Sequence, residues 1–376
     1  MNTITLKDIL TNDNLKAFFK SSSQFFSHFP SSHLHFIKST LVASNNCRKL
    51  SFAKAVFTCP TCSHYAYRPV TCKSKICSSC GKIYAEKWAN KLSKQLINQK
   101  HRHIIFTLPK EIWKYPIFKR ELLSTFSNHI NTLFKAWFLK NNIKYYGLII
   151  AIHTFSRDSS FNPHYHVILS LGGFKENLTR KNLTFFPAKF FNNSWKYLVL
   201  RSISQAYPKC KKTKDIISLC YKKDFFVNLK GEPLNTSSKS LQYIGRYLMR
   251  PAIAEYRITK YENNEVTFWY TDVITKKKVD CTLPLFKFIG RLILHINPKG
   301  FKAIRRYGFY ARNITSSVKN VIRTFFKKNS NTNPLLTWRE RIFKLSNIDP
   351  LICPNCSTEM KLSSFHHKKY GDFYYP

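Results

Sequence analysis

The sequence predicts an α+β fold with an antiparallel pair of strands at its centre. Two apolar, strand-like runs cover residues 147–155 and 164–171, and the polar stretch 156–163 separates them. Runs joined by such a short polar segment are typical of neighbouring antiparallel strands. Around them lie helical patterns, the clearest over residues 122–137, where apolar side chains recur at three- and four-residue steps. Helices alternating with a sheet in this way favour an α+β domain.

The other elements follow from the same periodicity and from turn residues. In chain order we expect a small helical lead-in over 1–58, an amphipathic helix over 82–98, a strand over 103–108, a helix over 187–204, a Lys- and Asn-rich loop region to 238, a short helix over 239–250, and two or three strands over 256–283 with turns at 263–264 and 276–278.

The charge of the chain predicts a polyanionic partner. Lysine and arginine number 62 against 19 acidic residues, which gives a formal net charge of +43. This excess is far larger than solubility requires. A coding bias toward lysine in an AT-rich genome is the alternative explanation, but arginines also cluster near the motifs described below.

Hydropathy argues against a membrane protein. No apolar run reaches the 18 or more residues of a spanning helix, and charged residues such as Lys7 and Asp13 interrupt the first apolar segment. We therefore expect a cytoplasmic protein whose eleven cysteines are reduced. In such a compartment, closely spaced cysteines indicate metal ligands before disulfides.

Two C-x-x-C knuckles predict a structural zinc site. Cys59-Pro-Thr-Cys62 and Cys77-Ser-Ser-Cys80 are fourteen residues apart, and four thiolates close a tetrahedral Zn²⁺ site. Cys72 and His64 are alternative ligands within the loop, and incidental buried cysteines are the competing explanation. Lys73 and Lys75 crowd this ribbon, so we expect it to contact phosphates.

A third knuckle stands near the end of the sequence. Cys353-Pro-Asn-Cys356 has no evident partner pair, and His366 and His367 are candidates to complete a second zinc site with it. An inert remnant of a ribbon is the alternative.

A His-x-His strand predicts a second kind of metal site. Alternation along residues 164–169 puts His164 and His166 on one face and apolar side chains on the other. His153, on the preceding strand, is a candidate third ligand across the hairpin. Imidazole favours Zn²⁺ or Mn²⁺ over Mg²⁺, which prefers oxygen.

A short helix carries the candidate nucleophiles. Between the N-capping serines 237–238 and Pro251, the residues Tyr243, Arg246, Tyr247 and Arg250 share one helical face, while the apolar residues occupy the other. Packing of both tyrosines in the core is the alternative. Phenol is a poor nucleophile at neutral pH, so its attack on DNA phosphorus requires a metal ion on the scissile phosphate. The two arginines would neutralise phosphate charge beside it.

Together these motifs resemble the zinc-ribbon rolling-circle insertion-sequence transposases of the HUH endonuclease superfamily. The resemblance runs in order over residues 50–315 and is carried by Thr71-Cys-Lys-Ser-Lys-Ile-Cys-Ser-Ser-Cys80, Phe106-Thr-Leu-Pro109, His153-Thr-Phe, Asn162-Pro-His-Tyr-His166, Tyr243-Ile-Gly-Arg-Tyr247, Ile296-Asn-Pro-Lys-Gly-Phe301 and Arg306-Tyr-Gly308.

The resemblance implies an HUH-type central antiparallel sheet flanked by helices, with an N-terminal zinc ribbon and a basic helical C-terminal part. It implies nicking and transfer of single-stranded DNA at transposon ends and into target DNA. The tyrosines at 243 and 247 would attack, with Mg²⁺ or Mn²⁺ at the histidines and structural Zn²⁺ in the ribbon. A bacterial, nucleoid-associated protein is expected, and a homo-oligomer is compatible with this function.

Five segments are expected on this basis. They are the lead-in (1–58), the zinc ribbon plus helix (59–100), the tyrosine nuclease core (101–255), strands and a basic helix that complete the transposase domain (256–315), and a tail with one knuckle (316–376).

Basic residues interleave with aromatic ones after the core, a pattern that suits single-stranded DNA. The expected phosphate contacts there are Lys299, Lys302, Arg305 and Arg306. A solvated basic surface is the alternative. Two other functions remain open on sequence grounds: a non-catalytic DNA-binding protein derived from a decayed transposase, and a replication initiator or relaxase with the same core chemistry.

Overall fold

The structure is a computed structural model that describes residues 4–97, 99–223, 225–229, 233–234, 251–272, 274–324 and 336–374. The described helices are α1 (Leu6–Ile9), α2 (Asn12–Ser21), α3 (Ser23–Phe26), α4 (Ser31–Asn45), α5 (Ser78–Gln95), α6 (Tyr115–Phe118), α7 (Glu121–Lys140), α8 (Ala188–Ala206), α9 (Lys211–Tyr221), α10 (Leu285–Ile293), α11 (Ser316–Thr324) and α12 (Trp338–Ser346). Two 3₁₀ turns lie at Lys110–Ile112 and Glu255–Arg257.

The described strands are β1 (Ala53–Thr58), β2 (Tyr65–Pro69), β3 (His101–Phe106), β4 (Tyr145–Phe155), β5 (Phe161–Phe174), β6 (Arg180–Asn182), β7 (Val227–Asn228), β8 (Pro233–Leu234), β9 (Ile258–Glu262), β10 (Glu265–Thr271), β11 (Lys278–Pro284), β12 (Ile304–Gly308), β13 (Lys361–His367) and β14 (Gly371–Tyr374). The predicted α+β class with antiparallel sheets is confirmed.

A central sheet in the order β12-β4-β5-β3-β7 organises the molecule, with β6 beside β5 and β8 beside β3. The predicted pairing of the two apolar runs is confirmed, since β4 and β5 are antiparallel neighbours with His153 opposite His164. Successive side chains along β4 face opposite sides of the sheet. Leu148 and Ile150 point to one core, and Ile149 and Ala151 point to another.

Helices cover both faces of this sheet. One face packs on α6, α7, α8 and α9 through a core that includes Phe126, Phe134 and Trp195. The other packs on α5 and α11, where Trp88 and Leu92 supply the predicted helical stripe. Such two-sided cover explains why nearly every residue of β4 is buried.

Two smaller sheets complete the fold. The strands β11-β10-β9 pack with α10 and the N-terminal helices in a separate core that contains Phe18, Leu41 and Phe288. The lead-in is therefore part of a core. Its predicted helical character is confirmed for α1 to α4, but β1 follows within the same stretch.

The second of these smaller sheets has the strand order β14-β13-β1-β2 and is antiparallel, so it joins distant parts of the chain. β1 pairs with β13 from Ala53 opposite His367 to Thr58 opposite Lys361.

Two local predictions are wrong. The expected loop region before residue 238 contains α9, an amphipathic helix that buries Cys220. The basic helix expected near residues 299–312 is instead an edge strand, β12, which pairs with β4. The turns are confirmed, since Asn263, Asn264 and Lys276 all have positive φ.

Candidate metal centres and cleft

Three histidines converge at one end of the central sheet. His153 lies on β4 and His164 and His166 lie on β5, with one ligand nitrogen from each ring within 4.8 Å of the others. The ring centroids are 4.4 Å apart for His153 and His166 and 4.9 Å apart for His164 and His166. His153 and His166 are buried, and His164 is partly exposed.

Strand alternation produces this convergence. On β5 the alternate residues Tyr165, Val167 and Leu169 enter the core formed with α7 and α8. His164 and His166 alternate with them and therefore point to the opposite face of the sheet. The direct pairing of His153 with His164 then brings the third ring beside them. The predicted geometry of the His-x-His strand is therefore found.

Hydrogen bonds orient two of the rings. His164 Nδ1 lies 2.8 Å from the carbonyl oxygen of Asn162, which can only accept, so Nδ1 carries the proton and Nε2 keeps a lone pair. His166 Nδ1 lies 2.9 Å from Nε2 of His103 on β3. Burial lowers the pKa of His103 to about 4, which keeps that imidazole neutral.

Sequence reasoning missed His103. The available signal was its place on the neighbouring strand, where residue 103 has the same parity as Ile105, the direct partner of His166. Metal-bound histidines commonly use their second ring nitrogen in such a hydrogen bond.

Another missed histidine has a structural role. His295 hydrogen-bonds the Thr154 hydroxyl through Nδ1 and the Ser159 carbonyl oxygen through Nε2. Burial lowers its pKa to about 4. With both ring nitrogens engaged, His295 braces the end of β4 and has no lone pair directed at the three histidines.

A cleft of about 740 Å³ opens beside the histidines and includes His153 in its wall. Basic and aromatic side chains line much of it: Lys38, Lys73, Lys75, Lys369, Phe36, Phe52, Phe155, Phe301 and Tyr370. Its segments come from α4, the cysteine-rich loop, β4 and the turn after β13. The predicted DNA contacts Lys73 and Lys75 thus line the same cleft as the predicted metal ligand His153.

None of the other described residues predicted to contact DNA lines this cleft. Lys299 and Lys302 are exposed near the cleft. Arg305 on β12 donates to the Ser124 hydroxyl at 2.6 Å, and Arg306 on the same strand is half-buried, with its pKa lowered chiefly by burial. The candidate nucleophiles and their neighbours, Tyr243, Arg246, Tyr247 and Arg250, lie outside the described residues.

The predicted grouping of four cysteines in one zinc site is wrong. Cys77 and Cys80 lie with Cys47 and Cys72, whereas Cys59 and Cys62 lie with Cys353 and Cys356. The physical reason is the position of β1 and β2, which carry the Cys59 knuckle away from the start of α5 and toward the C-terminal knuckle. The proposed pairing of Cys353 and Cys356 with His366 and His367 is likewise wrong.

The first cluster is compact. Cys80 Sγ lies 3.7 Å from Cys47 Sγ and 3.7 Å from Cys72 Sγ, too far for a disulfide and close to the separation of thiolates around one zinc ion. Hydrogen bonds, chiefly from Cys72, hold the pKa of Cys47 far below its usual range. Cys72, weighed as an alternative ligand, is thus a member. Cys47 was missed because it belongs to no knuckle.

The second cluster joins segments that are 291 residues apart in the chain, measured from Cys62 to Cys353. Cys59 and Cys353 are buried, and Cys62 and Cys356 are exposed. Neither four-cysteine cluster leaves a position for substrate if all four thiolates bind one ion, so both fit structural Zn²⁺.

Comparison with known proteins gives two family matches. Residues 17–108 match a transposase zinc-binding domain, and residues 147–317 match a transposase family, Y2_Tnp. The first range contains the whole of the Cys47 cluster, and the second contains all three histidines.

Two curated proteins resemble most of the chain. The transposase for insertion sequence element IS801 of Pseudomonas savastanoi pv. phaseolicola is 27% identical over 81% of this chain and 78% of its own length. A protein of Sinorhizobium fredii described as a transposase, y4qJ, is 24% identical over 84% of this chain and 86% of its own length. No solved structure matches the chain significantly. None of the helices in the described part of the chain has the length and hydrophobicity that crossing a bilayer needs.

Proposed function

Because the chain belongs to the insertion-sequence transposases that carry this zinc-binding domain, we propose that it nicks and transfers single-stranded DNA through a covalent phosphotyrosine intermediate. The observation that carries the proposal is the convergence of three imidazoles on one sheet face, one of which, His153, lies in the wall of a basic and aromatic cleft.

The histidines suit a divalent ion. His153, His164 and His166 would hold it through three nitrogens, a donor set that fits Mn²⁺ better than Mg²⁺, which prefers oxygen. When bound, the ion would polarise the scissile phosphate and stabilise its developing charge. The hydrogen bonds of His164 to Asn162 and of His166 to His103 would keep the coordinating nitrogens in place.

The cleft suits a single strand of DNA. Ring faces such as Phe301 and Tyr370 offer stacking surfaces, and Lys38, Lys73 and Lys369 offer cations for the backbone. Stacking and phosphate neutralisation are the two interactions that single-stranded nucleic acids use most.

The tyrosines at 243 and 247 would be the nucleophiles. In the proposed reaction a phenolic oxygen of one tyrosine loses its proton and forms a bond to phosphorus. The bond from phosphorus to the 3′-oxygen breaks, and that oxygen takes up a proton as a free 3′-hydroxyl. The phosphotyrosine ester keeps the energy of the broken bond, so a later attack by a 3′-hydroxyl rejoins DNA without ATP. Arg246 and Arg250 would neutralise phosphate charge.

An adduct assay tests this function. Labelled single strands from the element ends are incubated with the protein and Mn²⁺ or Mg²⁺, and covalent protein–DNA adducts are resolved under denaturing conditions. We expect an adduct that His164→Ala abolishes. Tyr243→Phe and Tyr247→Phe, tested singly and together, would identify the attacking residue, and the double variant should form none.

The control is His129→Gln. His129 lies on α7, where it bonds the Ser202 hydroxyl in α8, and its loss should leave adduct formation intact. Binding of the labelled strand without any adduct, in the unaltered protein and with either ion, would mean a non-catalytic DNA-binding protein and would refute the proposal.

A further inference from the structure

The knuckles at Cys59 and Cys353 are built alike. In each, a proline follows the first cysteine, and a serine four residues after it has positive φ: Ser63 at 56° and Ser357 at 58°. The backbone bonds also match. The amide of Cys59 donates to the carbonyl of His64 at 2.7 Å, and that of Cys353 donates to the carbonyl of Thr358 at 2.9 Å.

A second matched bond closes each turn. Ser63 donates to the carbonyl of Cys59 at 3.1 Å, and Ser357 donates to the carbonyl of Cys353 at 3.0 Å. Two equal turns therefore each present a pair of sulfurs, and two such pairs are what a closed tetrahedral site requires.

The four sulfurs meet at the right size for a metal ion. Cys59 Sγ lies 3.4 Å from Cys356 Sγ, and Cys62 Sγ lies 3.5 Å from both Cys353 Sγ and Cys356 Sγ. Disulfide sulfurs are about 2 Å apart. Tetrahedral Zn²⁺ with bonds of about 2.3 Å spaces its thiolates by roughly 3.8 Å, so a small expansion accommodates the ion.

Independent contacts hold the C-terminal segment at the same place. Arg68 on β2 donates twice to the carbonyl of Pro350, at 2.6 and 3.1 Å. The Thr58 hydroxyl on β1 donates to the Ser363 hydroxyl on β13 at 2.9 Å, which adds to the backbone pairing of these two strands. The knuckles thus face each other in a built interface and do not merely come near.

We propose that Cys59, Cys62, Cys353 and Cys356 form a second structural zinc site, which clasps residues 336–374 to the strands β1 and β2. Two of its ligands lie outside the matched zinc-binding domain. The clasp has a consequence for the cleft, because His367 ends β13, Lys369 and Tyr370 follow it, and all three form part of the cleft wall. The second zinc ion therefore positions one wall of the cleft that contains His153.

Zinc stoichiometry tests the proposal. All proteins in this count carry His164→Ala, which removes a ligand of the histidine site so that only the cysteine clusters retain zinc. The purified full chain, washed free of loose metal, should then contain two zinc ions by elemental analysis, one for each cluster. The double variant Cys353→Ser, Cys356→Ser should contain one. Cys356→His should restore the second ion, because Cys₃His is also a structural zinc set. Cys210→Ser, at an exposed cysteine outside both clusters, should keep two.

Limited proteolysis gives a second readout. In the double variant, cleavage should release the segment 336–374 at least about tenfold faster than in the unaltered chain, while the central sheet stays protected. A zinc content of two in the double variant would overturn the proposal. So would disulfides joining these four cysteines in protein purified under reducing conditions, or a chain with unaltered cysteines that contains one ion. Neither readout depends on DNA cleavage, so the result stands whether or not the proposed function fails.

Discussion

The orientation of single rings decides what the histidine cluster can bind. A neutral imidazole has one lone pair, and the Asn162 carbonyl fixes that of His164 on Nε2. For His166, the partner that fixes the ring is the neutral His103, whose Nε2 accepts if the Nδ1 of His166 carries the proton. In the proposed metal site, His103 would act as a positioning residue for His166.

Replacing His103 should weaken metal binding without removing a ligand. We expect His103→Phe to raise the Kd for Mn²⁺ by about 10–100-fold, the usual loss when a bond to a metal-bound histidine is removed. His103→Gln keeps an acceptor oxygen and should recover part of the affinity. Titration calorimetry or Mn²⁺ electron paramagnetic resonance measures both.

The control for this pair is again His129→Gln, which should bind Mn²⁺ as the unaltered chain does. Equal affinities for the Phe, Gln and unaltered proteins would show that His103 does not orient the cluster.

At the scale of elements, the pairing of β4 with β12 depends on glycine. Gly147 pairs directly with Gly308, and the chain then turns so that Phe309 and Tyr310 pack over Gly147. A Cβ at residue 147 would lie 2.1 Å from a ring carbon of Phe309 and 2.5 Å from one of Tyr310. Tyr310 also bonds the buried His101, at 2.6 Å, so the ring cannot easily move.

Gly147→Ala should therefore destabilise the protein by about 1–3 kcal/mol, the typical cost of overpacking a core. Denaturant unfolding measures the change in the free energy of unfolding. Gly290→Ala is the matched control. In α10 its added methyl meets only Phe18, at 3.8 Å, so alanine should be neutral or stabilise by up to about 1 kcal/mol. Equal effects at the two positions would contradict this account of β12.

Elements also show where sequence reasoning succeeded and where it failed. The central pair β4 and β5 was predictable because two long apolar runs joined by a short polar segment indicate neighbouring antiparallel strands. The facing of His164 and His166 was predictable because side chains alternate along a strand. β12 was not, because its side chains are basic and its strand character comes from pairing with β4.

The cysteine clusters show a second limit. Knuckles reveal which thiols bind metal, but the choice of partner depends on the tertiary fold. Cys47 lies 25 residues before Cys72, and Cys62 lies 291 residues before Cys353. The similar Cys-Pro-x-Cys sequences of the Cys59 and Cys353 knuckles were the one local signal for the second pairing.

For the whole molecule, a net charge of +43 should make DNA binding strongly dependent on salt. If about six phosphates of a single strand are neutralised, the logarithm of the binding constant should fall with the logarithm of salt concentration with a slope of about −4. Affinity would then drop roughly 250-fold between 50 and 200 mM salt.

Removing two cleft lysines should reduce this dependence. The double variant Lys73→Gln, Lys75→Gln should have a slope that is less negative by about 1.4, as expected for two lost phosphate contacts. Lys135→Gln with Lys140→Gln removes the same charge from exposed positions on α7, across the sheet from the histidines, and should change the slope less. Fluorescence anisotropy at several salt concentrations measures all three proteins. Equal slopes for the two double variants would place the strand outside the cleft.

The pairing of β1 with β13 has a consequence for how the protein is made. At about 5–20 residues per second, a ribosome needs roughly 15–60 s to travel the 291 residues from Cys62 to Cys353. During that time the nascent β1 has an open edge, and a knuckle with only two thiols must wait for its counterpart. A message cut short between His166 and Cys353 yields a product that has all three histidines but cannot form the proposed clasp.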